Sequence, residues 1–277
     1  MSQPDPRNPK ELFRLWRGGD AAAGTAMGQR FADWYYAIAT ARLGEQLGRE
    51  PVRESCTRFS QGVAQVTEVR NLVTWAHGLI TEEIARAGLQ DGRVADANDP
   101  SAFSNNESPK DLLRQVRAAL PSEMALLEAC YSGSAPNAAE VERLAAGFGG
   151  MPLGVLRARY AVKRWLRDNA GCPLEVAPDK PVLDRAPLPL YEAGRMASKR
   201  EEVDFEHWML TDLDLCRDIA EFAPFSTALR GGVGAAASVS TSGGSGLKGP
   251  VLVLVGLGAA VIGLIIVAAI AWFVFGA

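Results

Sequence analysis

The sequence predicts an all-α protein: two small helical domains, a linker region and one C-terminal transmembrane helix. Three observations carry this. Apolar residues recur at steps of three and four through much of the chain before Gly231, while strand patterns are scarce. Glycines, prolines and capping side chains punctuate those stretches at helix-like intervals. The final stretch, Val251 to Ala277, contains no charged side chain.

The elements follow in order. Pro9 to Phe13 opens a short helix that stops at Gly18-Gly19, and Asp20 caps a longer one. From Ala21 to Leu43 the positions Met27, Phe31, Trp34, Tyr35, Ile38 and Ala41 form an apolar stripe, and Gly44 ends it. A further block runs from Pro51 to Phe59 and on to Val66. Another covers Asn71 to Arg86, with Leu72, Trp75, Leu79 and Ile80 on one side. Residues 1–90 thus read as an N-terminal helical domain. Residues 91–108 are polar with few large apolar groups, and read as a linker.

Residues 109–172 read as a second helical domain with a helix-turn-helix character. Its helices are expected at Asp111–Leu120, Pro121–Tyr131, Pro136–Phe148 and, after a Gly149-Gly150-Met151-Pro152 turn, Leu153 to about Asn169; Gly171 stops the last. Residues 173–230 combine a proline-rich stretch, expected to be extended through 192, with an acidic amphipathic helix at about Val203–Phe222. Residues 231–249 are a Gly/Ser-rich tether.

Residues 250–276 are long enough to span a bilayer, and in lipid a helix satisfies every backbone polar group within one segment. Trp272 and Phe273 suit one interface, Lys248 and Pro250 the other. Arg230 and Lys248 precede the span and no charged side chain follows. The body is therefore expected in the cytoplasm, on a single-pass inner-membrane anchor. The opening MSQPDPRNPKELF has no apolar run of the kind a signal peptide needs.

Charge and motifs narrow the function classes. Residues 109–172 hold nine basic and six acidic side chains, whereas residues 173–222 hold six basic and twelve acidic. Such asymmetry suits an anionic partner or an internal contact. Cys56, Cys130, Cys172 and Cys216 are widely separated, and His77 and His207 are the only histidines, so no metal site is expected. No phosphate loop, nucleophile elbow or zinc-protease motif occurs; neither enzymatic activity nor a cofactor is expected.

The candidate functional segment is the helix from Leu153. Val155, Ala158, Val162, Trp165 and Leu166 are assigned to its apolar face. Arg157, Arg159, Lys163, Arg164 and Arg167 are assigned to the opposite half, where they would meet DNA phosphates or guanine edges. The acidic helix that follows is charge-suited to cover that face.

The order of motifs over about residues 9–172 resembles the extracytoplasmic-function sigma factor family. Trp16-x-x-Gly19-Asp20, the aromatic cluster Trp34-Tyr35-Tyr36 and Leu43-Gly44 are similar to the start of that family's first domain. Phe59, Trp75 and Ile80 follow in order. Leu120-Pro121, Glu140-Val141 and the basic run Arg157 to Leu166 are similar to its promoter-binding domain. The resemblance implies two helical domains, DNA binding through the basic helix and RNA polymerase as a partner. Two stretches depart from the family's pattern: Arg53 to Arg58, and Ile80 to Ala85, which carries Glu82 and Glu83 where basic and aromatic residues are usual. They point to the alternative, a non-enzymatic membrane-anchored scaffold that docks a protein partner at the inner membrane.

Overall fold

A computed structural model describes residues 5, 7–91, 107–132, 138–175 and 183–231. Eleven α-helices and no strand occur among the described residues, so the all-α expectation holds. They are α1 (Pro9–Arg17), α2 (Ala21–Leu43), α3 (Glu45–Gly62), α4 (Val69–Asp91), α5 (Pro109–Ala119), α6 (Pro121–Tyr131), α7 (Ala138–Ala146), α8 (Leu153–Ala170), α9 (Leu188–Glu192), α10 (Lys199–Met209) and α11 (Leu213–Arg230). The expected span at 250–276 and the tether at 231–249, Gly231 excepted, lie outside the described residues. So does the expected linker between Gly92 and Asn106. Among the described residues no helix is long and apolar enough to cross a membrane.

Several helix starts, those of α1, α2, α5, α10 and α11, are set by side chains that satisfy free N–H groups. Asn8 accepts from Glu11 at 2.9 Å and Asp20 from Ala23 at 3.0 Å. Gly44, at φ 81°, both ends α2 and begins α3. The second block therefore starts at Glu45 rather than Pro51, and Pro51 sits inside α3.

Two hydrophobic cores form. The first joins α1 to α4 through Phe13, Phe31, Trp34, Tyr35, Phe59, Leu72 and Ile80. The second joins α5 to α8 through Leu113, Met124, Leu127, Val155, Val162 and Leu166. The C-terminal segment completes both. Tyr191, Phe205, Met209, Leu215 and Ile219 enter the first core, and Phe222, Phe225 and Leu229 enter the second. Leu156 and Tyr160 of α8 also reach the first core. The segment 183–231 is thus an integral layer, with α11 lying along both cores.

This arrangement corrects two expectations. Within the stretch expected to be extended through 192, residues 183–192 are not: a 3-10 turn at Leu183–Arg185 and helix α9 follow one another, because Pro187 and Pro189 stand at a helix start, where a missing N–H is harmless. The single acidic helix at Val203–Phe222 is two helices. Asp212 interrupts them, its carboxylate accepting the Leu215 N–H at 3.0 Å to cap α11.

The α7–α8 pair packs closely at Gly154. A Cβ there would lie 2.8 Å from the Ala145 carbonyl oxygen and 3.2 Å from Phe148 Cβ. Gly78, in the middle of α4, has nothing within 4 Å of the same position. Gly154→Ala should therefore lower stability by about 1–3 kcal/mol through overpacking. Gly78→Ala should raise it by up to about 1 kcal/mol through helix propensity. Thermal denaturation of the two variants checks this, and equal shifts in one direction would contradict the close α7–α8 packing.

Candidate nucleic-acid interface

Helix α8 is reached through a turn that its own first residues stabilise. Gly149 and Gly150 adopt φ 99° and 83°. Arg157 turns back over them and donates from Nη1 to the Phe148 carbonyl oxygen at 2.5 Å. A Cβ on Gly149 would overlap that guanidinium at 2.1 Å, so the loose glycine turn leaves room for the arginine.

The five expected DNA-contacting residues divide into two groups. Arg157 is exposed, Arg164 and Arg167 are partly exposed, and Arg167 pairs with Asp168 at 2.7 Å. Arg159 and Lys163 are not on a solvent face. Their relative exposures are 0% and 2%, which corrects the assignment of these two cations to an open surface. The reason is angular. Four residues on from Val155 is about 400°, so Arg159 lies about 40° from Val155 and close to Val162, on the inward side.

Both cations are neutralised by the C-terminal segment. Arg159 donates from Nε and Nη2 to the two carboxylate oxygens of Glu192, each at 2.8 Å. Its Nη1 meets both oxygens of Asp218 at 3.0 Å, and Nη2 also donates to the Asp218 carbonyl oxygen at 3.0 Å. The guanidinium carbon stands 4.4 Å from the Phe222 ring centre, within cation–π range. Tyr131 donates its hydroxyl to Glu192 at 2.5 Å. Lys163 pairs with Asp218 and, at 2.8 Å, with Glu221. Buried charges are expected to be paired and hydrogen-bonded in this way.

A second buried cluster fastens the same segment to the first core. Glu206 accepts from Arg42 Nε at 2.9 Å and from the Tyr191 hydroxyl at 2.7 Å. His77 Nε2 lies 2.6 Å from its other oxygen. The Trp34 indole N–H donates to the Glu206 carbonyl oxygen at 2.5 Å. The carboxylates at the start of α10 turn elsewhere: Glu202 pairs with Arg42 at 2.6 Å and with Lys199 at 3.0 Å, and Asp204 faces Arg200. The carboxylates on α8 are Glu192, Asp218 and Glu221. Periodicity does carry a trace of them, since Asp218 falls within the apolar row Leu215, Ile219, Phe222.

Burial alone would raise both key carboxyls. For Asp218 the Arg159 and Lys163 charges outweigh it, and for Glu206 the His77 and Arg42 contacts outweigh it, so each is held below its usual value. His207 is also pushed down, by burial and by the neighbouring His77. The thiols of Cys130 and Cys172 are raised to about 11 by burial, which removes them as nucleophiles at neutral pH. Among the described residues no group of histidine, cysteine or acidic side chains could hold a metal ion.

No protein-family model matches the chain, and neither a curated protein nor a solved structure matches it significantly.

The pKa directions predict stability against pH. Carboxyls held below their unfolded values stabilise above roughly pH 4, and that contribution is lost as pH falls through the folded values. A histidine held down favours the unfolded chain once pH drops below about 6.5. The denaturant midpoint should therefore fall in two stages, a shallow one below about pH 6.5 and a steeper one below about pH 4. His207→Gln should remove the first stage. Asp218→Asn should weaken the second, and at pH 7 should cost on the order of 3–5 kcal/mol. A midpoint that rose on acidification to pH 4 would contradict the assignment.

Proposed function

We propose that the protein is a membrane-tethered, sigma-factor-like transcription regulator whose C-terminal segment holds its basic helix closed. The carrying observation is the charge match along α8: Arg159 and Lys163 meet Glu192, Asp218 and Glu221, all from the segment that follows the second domain. Arg157, Arg164 and Arg167 remain toward solvent on the same helix. The order of motifs and the α7–turn–α8 geometry support DNA as the target, with RNA polymerase as the further partner that the sigma resemblance implies. In this reading α11 must leave α8 before the full basic set meets phosphate. The apolar tail at 250–276 tethers the body to the cytoplasmic face of the inner membrane.

The burial of Arg159 and Lys163 gives a second reading its weight. Cations with 0% and 2% exposure serve packing as well as they would serve a masked interface. On that reading the chain is a non-enzymatic membrane-anchored scaffold, and Arg157, Arg164 and Arg167 contact a protein.

DNA affinity of the full chain in non-ionic detergent, measured across salt concentrations, separates the two. The regulator reading expects weak binding by the native chain. It expects tighter binding when Glu192, Asp218 and Glu221 are changed to their amides, with circular dichroism confirming a retained helical fold. Release of Arg159 and Lys163 onto phosphates should steepen the salt slope by up to about 1.8, at about 0.9 per contact. Alanine at both positions in that variant should reverse the gain. Absence of DNA binding by native and amide forms alike, even at low salt, would leave the scaffold reading.

The anchor has its own test. The full chain should remain with membranes after alkaline carbonate washing, and removal of residues 250–277 should release it. A truncated chain that still pellets would show that another segment binds the membrane.

A further inference from the structure

Beside the Glu206 cluster, a cleft of about 470 Å³ opens where the start of α1, the start of α4 and the α10–α11 junction meet. That volume lies in the range of small-molecule sites, roughly 300–1,000 Å³. Its chemistry is one-sided. Lys10 and Arg70 supply two cations, and no acidic side chain lines the cleft. The nearby carboxylates stand outside it: Glu68 takes Arg70 Nε at 2.6 Å, and Asp204 and Glu206 act on His207 from α10. The start of α1 adds the positive end of a helix dipole on the same side. Val73 and Leu210 provide apolar wall.

His207 is the third component. Its ring meets His77 edge-on, with centres 5.1 Å apart and planes at 87°. The residue lines the cleft, while its Nε2 is shut away from solvent and faces the interior. Burial and His77 hold the ring below its ordinary pKa, which favours a neutral imidazole at pH 7.

We propose that this cleft binds a small, soluble organic anion. A phosphate or carboxylate group is held by Lys10 and Arg70, and an apolar body lies against Val73 and Leu210. The walls come from the first domain on one side and from the α10–α11 junction on the other. An occupant therefore ties the C-terminal segment to the first domain. The site stands independently of DNA binding.

Phenyl phosphate, which joins an anionic group to an apolar ring, is a suitable probe. Isothermal titration calorimetry on the full chain in non-ionic detergent at pH 7.5 should give saturable binding with a Kd below about 1 mM, the weak end of specific affinity. Inorganic phosphate should bind at least about tenfold more weakly, because it lacks the apolar part. Lys10→Ala with Arg70→Ala should weaken phenyl phosphate at least about tenfold. Lys10 is exposed and Arg70 has 80% side-chain exposure, so the fold should be untouched and the melting temperature unchanged. Lys110→Ala, on the second domain, should have no effect. Saturable binding that survives the double substitution, equal affinity for inorganic phosphate, or no binding up to about 10 mM would each overturn the proposal.

Discussion

A guanidinium with no solvent contact must find its counter-charges inside the protein, and Arg159 finds two. Desolvating such a group costs several kcal/mol unless its donors are met with good geometry. Here Glu192 and Asp218 take them, Phe222 covers the face of the group, and Tyr131 donates to the Glu192 oxygen that also accepts from Arg159 Nε. The carboxylates come from α9 and α11, so the packing of α8 depends on a segment that follows it in the chain. Glu206 repeats the arrangement against the first domain, with Arg42, His77 and Tyr191 as its partners. The C-terminal segment is therefore fastened at two polar points, one in each half of the molecule.

Between those points lies apolar surface. Leu215 and Ile219 complete one core; Phe222, Phe225 and Leu229 complete the other. Each fully buried side chain of this kind contributes about 1.5–3 kcal/mol relative to exposure. Separation of α11 from α8 is thus not a minor fluctuation. With the ion pairs intact, it requires replacement of those contacts, by a partner that covers the same surface or by an irreversible event such as proteolysis. Helix α8 consequently has three sides rather than two: Val155 and Leu166 toward its own domain, Arg159 and Lys163 toward the segment, and Arg157 with Arg164 toward solvent. A regulator built this way would be held off firmly, and a scaffold built this way would be rigid.

Much of the helical order was legible in the sequence, because caps and stops are local. Asp20, Gly44 and Gly171 set boundaries that the structure reproduces, and the stripe from Met27 to Ile38 is buried throughout. What escaped was set by contacts far apart in the chain. The reading of α8 assumed one buried side, as for a helix on a domain surface; the approach of α11 created a second. The position of Arg159 beside Val155 and Val162 was a usable sign, as was Asp218 amid Leu215, Ile219 and Phe222, since opposite charges on two apolar faces find one another. The break at Asp212 escaped because Met209, Leu213 and Cys216 keep helical spacing of four and three across it. The Glu206 cluster gave no comparable signal, because Arg42 and His77 lie more than a hundred residues before their partner.

The central claim is that the Arg159–Asp218 contact couples helix α8 to the C-terminal segment energetically and not merely in space. A double-mutant cycle tests it most directly: Arg159→Met, Asp218→Asn and both together, with unfolding free energies from chemical denaturation at pH 7. A coupling of about 1–3 kcal/mol, with the double variant less destabilised than the sum of the singles, is the predicted result. Additive effects, with a coupling indistinguishable from zero, would contradict it.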